Sequence, residues 1–166
     1  MSPAVQRLDS TDRRILDVLQ VDARRSRSKI ARVVSLSTAA VHERIRKMER
    51  AGVILGYTTR LDPERSGYDL LAFVEVFVDH PKYETGFLDE IGRMTPVQEC
   101  HRVTGAATCL LKVRAADRHD LQTLILDRIN AMPGVRGTET VVVLSTTKET
   151  SRLHLAGEDE ATGDRK

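Results

Sequence analysis

SRSKIARVVSLSTAAVHERIRKMERAGVILGYTTRL, residues 26–61, decides how this 166-residue chain is read. Ser26–Val34 has the pattern of a helix too short to fold alone. Ser35-Leu36-Ser37 interrupts it, and Ser37 is placed to cap the helix that follows. Over residues 38–50, Val41, Ile45 and Met48 recur at i, i+4 and i+7, one apolar stripe. Advancing about 100° per residue from Val41 puts Ala39, His42, Glu43, Arg46, Lys47 and Arg50 on the opposite side, facing solvent. Gly52 supplies the stop. A short capped helix, a tight turn and a second helix with a basic outer face form a helix-turn-helix, whose second helix enters the DNA major groove.

A charged helix face is often merely solvated, so the distribution of charge matters. Residues 1–60 hold 13 Lys+Arg against 6 Asp+Glu, while the remainder holds 13 against 18. A basic first third joined to an acidic remainder points to a polyanion-binding module attached to something else. On the outer face, Thr38, Ala39, His42 and Arg46 lie near the start of helix 38–50, placed for base edges, and Ser37 just before it is a further candidate DNA contact. Lys47 and Arg50, with Arg25, Arg27 and Arg32, are placed for phosphates.

Upstream, residues 11–20 read as a helix burying Ile15, Leu16 and Leu19, capped by Ser10 or Thr11. Val53–Leu61 reads as a strand, a wing or exit strand. Asp62-Pro63 and Ser66-Gly67 mark turns, so the domain boundary falls around 60–68. Strand and helix then alternate: a strand over 71–79, a helix over 83–93, two strands over 97–103 and 108–114 around Gly105, a helix over 118–131, and a last strand over 135–146. β-α-β-β-α-β is the ferredoxin-like order. Both faces of strand 71–79 carry apolar residues, and two helices cover only one. Leu71, Phe73 and Phe77 on the other face therefore call for a second subunit.

Other classes are disfavoured. No apolar run is long enough to span a membrane, and the N-terminus lacks a signal-peptide core, so a cytoplasmic protein is expected. Cys100 and Cys109 make no disulfide framework and are expected reduced. Five scattered histidines have no metal-ligand spacing, and Cys100 and His101, adjacent on a strand, point to opposite faces. No nucleophile constellation or phosphate-binding glycine loop is present. The expectation is a non-enzyme with no cofactor and no metal.

Four stretches carry a family likeness: LDSTDRRIL from Leu8, LSTAAVHERIRKMERAGVILGY over Leu36–Tyr57, QECHRVTG over Gln98–Gly105, and MPGVRGTETVVVL over Met132–Leu144. In that order and spacing the chain resembles the Lrp/AsnC transcriptional regulators, the leucine-responsive or feast/famine proteins. The resemblance implies an α+β chain: a winged helix-turn-helix domain (residues 1–60), a linker (61–68), a ferredoxin-like ligand-sensing and dimerisation domain (69–154) and a disordered tail (155–166). It also implies a homodimer building towards an octamer and an amino-acid effector bound between dimers. Carried over by motif, His101, Thr104, Gly105, Ala106, Ala107 and Thr108 match the effector loop, and Arg136, Thr138 and Thr140 match the strand segment. The chain departs from the family's G-x-x-D-Y at Thr108 and Cys109, which replace the acidic and aromatic residues, so a neutral amino acid is expected rather than a basic one. Ser35 stands where a turn glycine is common. The alternative is a nucleoid-type architectural protein that binds DNA without answering to an effector.

Overall fold

The computed structural model describes residues 7–155. Residues up to Thr59, together with the segment from Thr150, form one compact unit, and Arg60–Glu149 form a second.

The first unit is built on three helices, α1 (Ser10–Val21), α2 (Arg27–Val34) and α3 (Thr38–Arg50). Asp9, rather than Ser10 or Thr11, caps α1: its carboxylate accepts from the Asp12 N–H at 2.7 Å, and the Asp12 carboxylate accepts from the Asp9 N–H at 3.3 Å. Ser26 caps α2 and Ser37 caps α3, each through its hydroxyl oxygen. The three stripes meet in a core where Ile15, Ile30 and Val41 are fully buried, with Ile45 and Met48 almost so. Ser35 ends α2 in the left-handed region, at φ 57° and ψ 44°. That conformation crowds a Cβ, which is the cost of serine at this turn.

The expected strand over 53–61 is absent, and with it the wing. The Val53 and Ile54 N–H groups bond back to the Met48 carbonyl at 2.9 and 3.2 Å, closing α3. Beyond them the chain runs irregularly, with Leu55 and Leu61 exposed. A strand needs a neighbour to fill its ladder, and none lies alongside among the described residues.

The second unit is a four-stranded antiparallel sheet of β1 (Leu70–Val78), β2 (Val97–Arg102), β3 (Cys109–Ala115) and β4 (Val135–Val142), in the order β2-β3-β1-β4. With α4 (Pro81–Ile91) and α5 (Arg118–Thr123, running on as a π-helical turn to Ile129), this is the ferredoxin-like arrangement. Ala72, Val74 and Val76 alternate inward with Leu111 and Val113, and Phe87, Ile91, Leu124 and Ile129 cover them. β4 ends at Val142, short of the expected Thr146.

The opposite sheet face is only partly open. Phe73 is 36% exposed and Val141 65%, yet Leu71 is buried. Leu71 and Phe73 share a hollow with Lys112 and with residues between Val143 and Glu149. Lys112 pairs there with Glu149 and with Glu99 at 3.3 Å.

Residues 150–155, expected with the sensing domain or its tail, instead pack on the first unit. The Gln20 side-chain amide donates to the Leu153 carbonyl at 3.0 Å and accepts from its N–H at 2.7 Å. Leu155 packs against the three-helix core. Residues 156–166 of the expected tail lie outside the described residues.

Ser35→Gly is expected to stabilise the protein by about 1 kcal/mol, because glycine occupies the left-handed turn without the Cβ clash. Denaturant unfolding checks it: the midpoint should rise for Ser35→Gly and fall for Ser35→Val, and an unchanged midpoint in both would contradict the strain.

Candidate DNA-recognition face and effector loops

Burial of Val41, Ile45 and Met48 sets the rotation of α3, leaving Thr38, Ala39, His42, Arg46, Lys47 and Arg50 exposed on its outer side. Arg32 is exposed on α2. His42, Arg32, Lys47 and Arg50 have no ion-pair partner among the described residues, and Arg46 reaches Glu43 only at 3.9 Å. Free guanidinium and ammonium groups on one helix suit a phosphate backbone and groove edges.

Three expected contacts are partly engaged within the chain. The Ser37 oxygen accepts from the Ala40 N–H at 3.1 Å, which leaves its O–H to donate outward. Arg25 is half-buried, 3.8 Å from Asp22. Arg27 is half-buried and lies beside the Tyr57 hydroxyl, which donates to Glu49 at 2.8 Å. Burial first, then Glu49, raises the Tyr57 pKa, so the phenol stays protonated.

Sequence reasoning missed Arg44. It turns away from the outer face and bonds the Asp9 carboxylate at 2.6 Å and the Asp12 carboxylate at 2.7 Å, joining α3 to the capping box of α1. Asp12 is the buried charged residue of this core. A Ser/Thr/Asp cap three residues before a second acid is visible in LDSTD, but its cation lies 32 residues on and nothing local marks it.

The expected effector residues divide between the two sheet faces and the hairpin loop, with a register shift between Phe77 and Val78 setting Arg136 apart from Thr138 and Thr140. Thr108 and Thr138 flank the end of β1 from its two sides. The Thr108 N–H donates to the Val76 carbonyl at 2.8 Å, its hydroxyl oxygen accepts from the Val78 N–H at 3.0 Å, and Thr138 pairs with Val76 across β4. Thr138 and Thr140 share the helix-covered face with Val76 and Val74, because paired residues share a face. Arg136 lies instead over the Phe77 ring, 5.5 Å from its centroid, and 3.7 Å from Asp79. His101, opposite Leu110, lies on the partly open face beside Glu99 at 3.1 Å. Thr104 and Ala106 are exposed in the hairpin loop, Gly105 has φ 115°, and Ala107 is buried. The structure thus gathers Thr108, Arg136 and Thr138 around the end of β1 and leaves His101 and Thr140 apart. Cys109 is buried beside Cys100, and burial pushes its pKa up to about 11, so it is a neutral thiol.

The AsnC-type helix-turn-helix domain matches residues 8–49, and the Lrp/AsnC ligand binding domain matches residues 71–153. The chain belongs to the Lrp/AsnC family of transcriptional regulators. It is 37% identical to the leucine-responsive regulatory protein of Escherichia coli K12 over 148 residues, covering 88% of this chain and 90% of that protein. It is 36% identical to the transcriptional regulator FL11 of Pyrococcus horikoshii, covering 88% and 95%. Among solved structures, E. coli AsnC superposes with a TM-score of 0.83 at 27% identity, covering 88% of this chain and 98% of that one. A Neisseria meningitidis regulator solved with L-methionine gives 0.85 at 28% identity, covering 89% and 97%. A helix-turn-helix joined to a ligand-binding domain makes this chain an effector-responsive DNA-binding regulator, and nothing favours the architectural alternative.

Arg44→Met is expected to destabilise this family member by about 1–3 kcal/mol, the range for leaving a buried hydrogen-bonding partner unsatisfied. Most of the loss comes from Asp12, whose side chain is 10% exposed against 52% for Asp9. The Asp9 carboxyl is held below its ordinary 3.8 by the Asp12 N–H first and by Arg44 after it. Its contribution is therefore complete above that ordinary value and is lost as pH falls through the lower folded value. Denaturation below about pH 4 should weaken the wild type more steeply than Arg44→Met, and parallel pH profiles would contradict the assignment.

Proposed function

We propose that the outer face of α3 reads an operator in the major groove while a homodimer, held through the partly open sheet face, presents two such helices. The exposed cations on the side of α3 opposite its buried stripe carry this reading. Thr38, Ala39, His42 and Arg46 meet base edges, and Ser37, Lys47, Arg50 and Arg32 meet phosphates. Arg25 and Arg27 join them from the half-buried margin. Phe73, Phe77 and Val141 form the apolar part of the dimer face, and dimers assemble towards the octamer common in the family. No helix among the described residues is long and apolar enough to cross a membrane, which suits the cytoplasm where a DNA-binding regulator works.

Arg46→Ala should cost about 1–3 kcal/mol of operator affinity and relax sequence preference. Arg50→Ala should weaken all sequences alike and flatten the salt slope by about one. Titrations of operator and random DNA over a salt series separate the two outcomes, and unchanged affinity in both variants at low salt would show that α3 is not the reading helix.

The effector is a neutral amino acid, apolar or sulfur-containing, held by the loop 104–108 and by Arg136 and Thr138. His101 and Thr140 lie at its margin. The crossing of loop and strand at the end of β1 supports this, as does the L-methionine bound to the Neisseria relative. Thr108 brings no carboxylate to meet a basic side chain, and its oxygen already accepts from Val78. Calorimetry across the twenty amino acids should find a neutral one binding best, with Arg136→Ala weakening it at least tenfold. Lysine or arginine binding best, or Arg136→Ala without effect, would move the pocket elsewhere.

A further inference from the structure

Of the residues gathered at the end of β1, Arg136 supplies a positive charge, while the loop 104–108 supplies only glycine, alanines and threonines. A neutral amino acid carries an ammonium beside its carboxylate, and an ammonium taken out of water without an acceptor is costly. The Thr108 hydroxyl oxygen is already engaged by the Val78 N–H at 3.0 Å. The residue after Val78 is Asp79, a carboxylate with no other task in the fold of the single chain.

The backbone fixes Asp79 where the two arms of the site meet. Its N–H donates at 2.9 Å to the carbonyl of Gly134, two residues before Arg136, and the preceding N–H, that of Val78, donates to Thr108. The Asp79 carboxylate lies 3.7 Å from Arg136 Nε, near enough to attract and too far for a hydrogen bond. It has no other ion-pair partner among the described residues. The Arg136 guanidinium is steadied over the Phe77 ring, 5.5 Å from its centre. Both charged side chains are exposed, so their mutual attraction is weak and readily exchanged for other partners.

An α-amino acid bears its own opposite charges on a single carbon atom. Set against this pair, it turns its carboxylate to Arg136 and its ammonium to Asp79. One loose ion pair then becomes two charge-assisted contacts. An acid without the amino group gains only the first contact and meets Asp79 as a like charge. We propose that Asp79 reads the ammonium of the effector, and that with Arg136 it selects α-amino acids over carboxylic acids that lack the amino group. This rests on the effector reading of the β1 end, and it adds to that reading the residue that sets the class of ligand.

Calorimetry on the full-length protein tests it, with L-methionine, L-leucine and the des-amino analogue of each, in which hydrogen replaces the amino group. The wild type should bind the better of the two amino acids at least about tenfold more tightly than its analogue. Asp79→Asn removes the charge and keeps the size of the side chain, and it should abolish that preference. The amino acid should weaken at least about tenfold, while the analogue binds as well as before or better. Arg136→Ala should weaken both, because both carry the carboxylate. A wild type without the preference, or an Asp79→Asn variant that keeps it or weakens both compounds alike, would overturn the role of Asp79 and leave the site standing. A wild type that binds none of the four compounds, or an Arg136→Ala variant that binds like the wild type, would remove the effector site from the β1 end and Asp79 with it.

Discussion

The rotation of α3 about its own axis is the constraint on which the DNA-binding unit depends. Val41, Ile45 and Met48 are almost wholly buried, so the helix has one stripe to give the core and cannot turn without losing it. The left-handed turn at Ser35 brings that stripe onto α1 and α2 within a few residues of the end of α2. The Arg44 pair with Asp9 and Asp12 then ties the same helix to the first turn of α1. What remains of α3 has only solvent, or a polyanion, to face. Recognition is a by-product of packing: the core fixes the helix, and the cations project because they have no place in it.

The sensing unit works from a different asymmetry. Two helices cover one sheet face fully, whereas the other is covered only at one end, where Glu149 meets Lys112 and its backbone carbonyl accepts from Arg60 at 3.3 Å. Lys112 holds Glu149 below the usual carboxylate range, and Glu149 raises the Lys112 pKa, so both stay charged near neutrality. From Glu149 the chain continues into the segment clasped by Gln20 on α1. The chain therefore passes between the two units twice, before Arg60 and after Glu149.

Periodic signals were legible because their causes are local. The 3.6-residue stripe of α3 and the alternation of β1 show in the residues themselves, and even the strain at Ser35 was readable as a serine in a glycine's place. The wing was not, since Val53–Leu61 has a strand's composition but no neighbour to complete its ladder, and composition does not reveal a missing neighbour. Nor was the clasp of Leu153, which is made by main-chain groups that carry no residue-type signal. Arg44 escaped notice because its partners lie more than thirty residues away, on another helix. In the effector region the stretch R-G-T-E-T looked like one lining, whereas the pleat keeps Thr138 and Thr140 on one face and the register shift at Phe77 and Val78 leaves Arg136 over the Phe77 ring.

That an outward basic helix, presented twice, reads discrete sites is the central claim, and footprinting on DNA selected by the protein from a random pool tests it most directly. The account predicts paired protections in the major groove, about one helical turn or a multiple apart. Uniform protection along every fragment, without recurring half-sites, would contradict it.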